Sequence, residues 1–108
     1  MSKEILMVVD AISNEKGVPR QVIFEAVEAA LASASRKRFE GREVSVRVHI
    51  DRQTGDYETF RRWEVVEDDE FENPDAEIKE SFAARREPPL KLGDVVEEQI
   101  ENAAFGRI

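Results

Sequence analysis

The stretch from Glu43 to Val66, EVSVRVHIDRQTGDYETFRRWEVV, constrains the fold more than any other part of this 108-residue chain. Val44, Val46, Val48 and Ile50 alternate with Ser45, Arg47 and His49, the period of a strand with one apolar face. RQTGD follows, with a glycine in place for a bulged loop. A β-hairpin is therefore expected, with strands over residues 43–51 and 56–67. Its second half breaks the pattern. Phe60 falls on even parity, whereas Trp63 and Val65 fall on odd. Two physical explanations are open. A β-bulge at Arg61-Arg62 would add a residue and re-aim the side chains. Alternatively, the strand is covered on both faces. The bulge is the preferred reading.

Two helices are expected before the hairpin. Ile5, Val8, Val9 and Ile12 recur at spacings of three and four, with Leu6 widening the stripe over residues 3–14. Ser2 suits the N-cap, and Asn14 to Gly17 supply a stop. Pro19 fits the first position of a second helix over residues 19–39, where its missing N–H costs nothing. Ile23, Val27, Ala30 and Ala34 mark one face of it, broadened by Phe24 and Leu31. Its alanine- and serine-rich run favours helix and lets the first helix approach closely. Arg36, Lys37 and Arg38 sit at its end, where cations favour the negative pole of the helix dipole.

After the hairpin, EDDEFENPD reads as a polar connection with Phe71 against the core edge. Asn73-Pro74 reads as the entry to a short helix over 75–86, carrying Ile78 and Phe82 on one stripe and ending at Pro88-Pro89. LKLGDVVEEQIE supplies a last strand over residues 94–100 of uncertain register. The fold class is α+β: an N-terminal helical hairpin packed on a small sheet, made of the β-hairpin plus a later strand, with one additional short helix. The length fits a single domain over residues 1–108. The ending NAAFGRI reads as the entry to another element, so the chain is expected to be an excerpt of a longer protein.

Charge distribution narrows the function. The chain carries 16 Lys and Arg against 24 Asp and Glu, a net −8. Residues 64–80 alone hold nine acids and one base, so this segment accounts for the imbalance. Elsewhere the chain is nearly neutral, and screening over about 8–10 Å lets a local basic patch persist. There is no cysteine, which excludes disulfides and thiolate metal sites. No signal peptide or membrane-length apolar run is present, and the expected location is cytoplasmic.

The catalytic inventory is poor. His49 is the one histidine and sits on the polar parity of its strand. No phosphate loop, zinc-binding HExxH or nucleophile elbow occurs. Asp51, Asp56 and Glu58 lack the ligand spacing of a calcium loop, and Asp68-Asp69-Glu70 read as a solvated acid run. The reading is not an enzyme, with no cofactor and no metal. Two basic clusters remain. Arg36-Lys37-Arg38 can meet phosphates or serve only the helix dipole. Arg61-Arg62 beside Trp63 offers stacking and forked donors, or pairing with acids such as Glu58 and Glu64. From the residues alone the chain is an α+β interaction module.

In order, SNEKGVPRQVIFEAVEAALASASRKRF, VRVHIDRQTGDYETFRRWEVVE and LGDVVEEQIE…FGRI make the chain similar to the N-terminal domain of the NusA family of bacterial transcription factors. The likeness is collinear and covers essentially the whole chain. The resemblance implies a domain that binds RNA polymerase near the RNA exit channel and promotes pausing, hairpin-dependent termination and antitermination. It further implies that a long helix, then the RNA-binding S1 and KH domains, follow in the full protein. Arg36, Lys37, Arg38 and Arg107 are the expected contacts to a nascent RNA hairpin. Trp63 is expected to anchor the hairpin to the helices, while Arg61 and Arg62 pair across the sheet or, as second choice, touch polymerase. Leu6 and Met7 could add an apolar contact. A monomer with weak RNA binding of its own and no membrane association is expected. The competing classes are an autonomous RNA-binding module, which the −8 charge and the lack of an exposed aromatic series disfavour, and a purely structural oligomerisation domain.

Overall fold

In the computed structural model, which describes residues 2–105, two helices lead into a four-stranded mixed sheet. Helix α1 spans Ser2–Lys16 and α2 spans Arg20–Arg36. Gly17 ends α1 with φ of 66° while its N–H bonds to the Ser13 carbonyl. The left-handed conformation explains glycine there. Pro19 is the N-cap of α2 rather than its first helical residue, one position earlier than expected. Ser2 opens α1 as a helical residue, not as its cap.

Helix α2 also stops sooner than expected. The N–H groups of Lys37, Arg38 and Phe39 bond to Ser33, Ser35 and Arg36, tightening the chain into a turn. Its buried face carries Ile23, Phe24, Leu31, Ala32 and Ser35. Val27 and Ala34 of the expected stripe are only partly covered. The face is rotated toward Phe24 because α2 lies on the sheet and α1 packs beside it. In α1, Ile5 and Val9 are fully buried, while Val8 and Ile12 stay more than one-third exposed.

Strand β1 (Ser45–Ile50) and β2 (Tyr57–Val66) form the hairpin. Asp51 shapes its loop by accepting the N–H groups of Gln53 and Thr54, and Gly55 takes φ of 80°. Strand β2 is the spine of the sheet. On one edge it pairs antiparallel with β1 and then parallel with β3 (Glu77–Lys79); on the other it pairs antiparallel with β4 (Val95–Ile100). The register runs unbroken through Arg61 and Arg62 on both edges. There is no bulge, and the preferred sequence reading is overturned.

The parity puzzle resolves as a strand covered on both faces. Tyr57, Thr59, Arg61, Trp63 and Val65 share the face that Val46, Val48 and Ile50 turn to the helices. Phe60 lies on the opposite face and is capped by the Arg47 guanidinium, 4.7 Å from its ring. The aliphatic stem and flat head of arginine shield an apolar ring without losing water. A helix over 75–86 does not form. Glu77 accepts the N–H groups of Glu72 and Asn73, and the chain then becomes β3. Pairing with β2 overrides the helical spacing of Ile78 and Phe82. Only Glu80–Ala83 turn into a short helix, α3, and Phe82 is 55% exposed. Phe71 and Phe82 are bridged by the Lys79 ammonium, at 5.3 and 5.8 Å.

The main core joins Ile5, Val9, Ile23, Phe24, Leu31, Val48 and Ile50. Trp63 is not in it and does not anchor the hairpin to the helices. It lies farther along β2, half-buried in a recess with Ile78, Val96 and Arg86. Arg61 stands where helix cover ends, its guanidinium 5.1 Å from the Phe39 ring and 4.5 Å from Trp63. Partial burial and one cation–π contact set the expected cost of Trp63→Ala at about 2 kcal/mol. Urea unfolding measures it; a loss above about 4 kcal/mol would put the ring in the core.

Candidate functional site

Exposed positive charge without a carboxylate partner gathers at the end of α2, and among the described residues again at Arg85-Arg86 after α3. Nearly every other arginine before Trp63 meets a carboxylate. Arg20 pairs with Asp10 at 2.9 Å, Arg47 with Glu97 at 2.8 Å and Arg52 with Glu28 at 2.7 Å. Arg61 and Arg42 share Asp75, and Arg62 joins Arg47 on Glu97 at 3.1 Å. So Arg61 and Arg62 do pair across the sheet, but with Asp75 and Glu97 rather than Glu58 and Glu64. Two arginines share each carboxylate, so each cluster keeps a net positive charge, but Arg61 and Arg62 are half-buried and already paired, which leaves them less open to an outside anion than the exposed end of α2.

Arg36 and Lys37 differ. Both are exposed, and among the described residues neither meets a carboxylate. Arg38 is exposed but engaged: its Nη1 and Nη2 donate to the carbonyls of Glu101 and Asn102, at 2.9 and 2.7 Å. These are neutral acceptors, so the arginine keeps its full charge. The turn after α2 explains the arrangement. It swings Phe39 inward to cover Arg61 and leaves Arg36 and Lys37 facing water, with Arg38 reaching to the end of β4. Arg107 lies outside the described residues. The structure therefore brings Arg36, Lys37 and Arg38 together and keeps Arg61, Arg62 and Trp63 apart from them in role.

The paired carboxylates carry a pH signature. Burial opposes ionisation of Glu28, yet the Arg52 guanidinium and the Ile50 N–H outweigh it and hold the carboxyl below its usual range. Asp75 is lowered by hydrogen bonds from Arg42, and Glu97 by those from Arg47. A carboxyl lowered on folding contributes stability at any pH above its unfolded value, roughly 4. That contribution disappears as pH falls through the lower folded value. The melting temperature is therefore expected to hold between pH 7 and 5 and to drop below about pH 4.5. A double Arg42→Met, Arg47→Met variant should flatten that drop in a thermal melt series.

One feature had no clear signal in the sequence. Ile12, Val18, Val22, Ile23, Val27 and Phe105 line an apolar groove of about 380 Å³ between α1 and α2. Val22 is 51% exposed and Met7 70%. Leu6, by contrast, packs against the core. The one hint was Val22, an apolar residue off the α2 stripe. Among the described residues no cluster of acids and histidine could hold a metal, and no helix is long and apolar enough to cross a membrane.

Comparison with known proteins agrees with this architecture. Residues 4–108 match the family model of the NusA N-terminal domain. The chain is 39% identical over 108 residues to the transcription termination/antitermination protein NusA of Bacillus subtilis (strain 168), covering all of this chain and 28% of that protein. It is 30% identical over 105 residues to the protein of the same name from Rickettsia conorii, covering 97% of this chain and 20% of that protein. It thus spans about a quarter of the length of these relatives. The solution structure of the N-terminal domain of NusA from B. subtilis superposes with a TM-score of 0.69 at 38% identity, covering 99% of this chain and 84% of that one. The chain belongs to the NusA family of transcription termination/antitermination proteins and corresponds to its N-terminal domain.

Proposed function

We propose that this domain docks on bacterial RNA polymerase beside the RNA exit channel and favours paused complexes that hold a nascent RNA hairpin. The observation that carries this reading is the uncompensated charge of Arg36 and Lys37 at one helix end, in a member of a termination/antitermination family. Two exposed cations without carboxylate partners attract phosphates regardless of sequence. Arg38 adds its charge, and Arg107 is a further candidate. The acidic segment 64–80 repels RNA, so it turns away from the transcript or meets a basic polymerase surface. No bond is made or broken in this scheme. The domain acts by binding the paused complex more tightly than the moving one, which alone can shift the balance between them. Action on cytoplasmic polymerase, as a monomer, completes the proposal.

The test is a salt series of binding to purified core RNA polymerase, with free structured RNA in parallel. Polymerase binding with weak, salt-sensitive RNA binding supports docking. Tight binding to RNA alone would replace it with the autonomous RNA-binding reading. Binding to neither partner would remove the proposal.

A further inference from the structure

Residues 101–105 cross from the end of β4 back to the helices, held by bonds from the turn after α2 and from β2. Arg38 donates to the carbonyls of Glu101 and Asn102. The Asn102 side chain donates to the Tyr57 carbonyl and accepts the Thr59 hydroxyl, both at 2.8 Å. The Tyr57 hydroxyl donates to the Ala103 carbonyl at 2.6 Å. Beyond these bonds Ala103 is buried in the core, and Phe105 packs on it and lines the apolar groove between α1 and α2.

The Arg38 pair is the exception in this set. Every other bond joins neutral groups, whereas Arg38 places a full cation on two neutral carbonyls at an exposed position. A phosphate is a better partner for a guanidinium. It offers charge and a matching fork, and such bonds are about twice as strong as neutral ones. The same helix end carries Arg36 and Lys37, which bring phosphates within reach.

We propose that residues 101–105 form a strap over the α1–α2 groove whose grip is set by Arg38, and that RNA phosphates captured at the helix end draw Arg38 away and loosen it. This inference rests on the reading that the basic helix end meets RNA. The Tyr57, Thr59 and Asn102 bonds do not attract an anion themselves; they open more often once Arg38 lets go but still form, so the strap slackens from its Arg38 end and does not unfold. Phe105 then gives up part of its hold on the groove beside Ile12 and Val22. The coupling is reciprocal: anything that displaces Phe105 from the groove frees Arg38 and raises the affinity of that end for phosphate.

The experiment is an NMR titration of the chain with a short RNA hairpin at low ionic strength. It follows solvent exchange of the Asn102 side-chain amide and the methyl signals of Ile12 and Val22. RNA is expected to speed Asn102 exchange on the order of tenfold, the factor associated with losing one to two exposed hydrogen bonds, and to move both methyl signals. Arg38→Gln should show the loosened state without RNA and little further change with it. Tyr57→Phe should loosen the strap yet keep the response to RNA. RNA binding with Asn102 and the methyls unmoved would overturn the strap and leave the proposed function standing. An Arg38→Gln protein with native Asn102 exchange would overturn it even without RNA. Failure of RNA to bind this end at all would overturn both.

Discussion

Replacing Phe24 with alanine is expected to destabilise the domain by about 3–5 kcal/mol, the range for a buried aromatic truncated to a methyl group. Phe24 is 2% exposed and belongs to the main core. It also has guanidinium groups over its ring, Arg52 at 4.7 Å and Arg20 at 5.6 Å. Arg52 in turn bonds Glu28, which accepts the Ile50 N–H at 2.8 Å. The truncation therefore leaves a cavity and removes the surface on which a charged bridge between α2 and the hairpin rests. A single domain of this size loses about 4–8 °C per kcal/mol, so the melt should fall by at least about 12 °C. A fall of less than about 5 °C would mean that α2 does not seal against the hairpin as described.

The second large effect is functional. If the domain acts as proposed, a double reversal, Arg36→Glu and Lys37→Glu, should strongly reduce its stimulation of pausing. It should also lower the salt dependence of its RNA binding by about 1.5 to 2 in the log–log slope, close to one for each phosphate that is no longer neutralised. The fold should survive, since exchanging two exposed cations for anions at the negative end of a helix costs about 2 kcal/mol. Arg38 is left out because it holds residues 101 and 102, and reversing it would mix two effects. Pause lifetimes unchanged by the double reversal, in a variant that still binds polymerase, would remove Arg36 and Lys37 from the RNA interface.

Much of the candidate site was legible because it is local. A run of three bases at the end of a helical stripe can be read without knowing the fold. What each base does could not be read that way. Arg38 meets carbonyls more than sixty residues away in sequence, and Arg36 and Lys37 stand apart from the other arginines before Trp63 because those pair with distant acids. The expected pairing of Arg61 and Arg62 with Glu58 and Glu64 went wrong for the same reason. Arg61 points to the face opposite Glu58 and Glu64 and finds Asp75, while Arg62 pairs with Glu97, the residue directly across from it on β4.

The two helices, the hairpin and its turn, and the last strand were legible without the fold. Each rests on short-range causes: the 3.6 and 2.0 periods, a glycine where φ is positive, and a proline at a helix start. Tertiary structure alone decided three other things. It chose strand over helix at Glu77–Lys79, because β2 had a free edge there. It carried β2 through Arg61 and Arg62 without a bulge, because an arginine stacked on Phe39 and Trp63 covers a strand as well as an apolar side chain does. And it laid residues 101–105 beside the basic helix end, because Ala103 and Phe105 find their apolar partners on the helices and draw the chain back across the sheet.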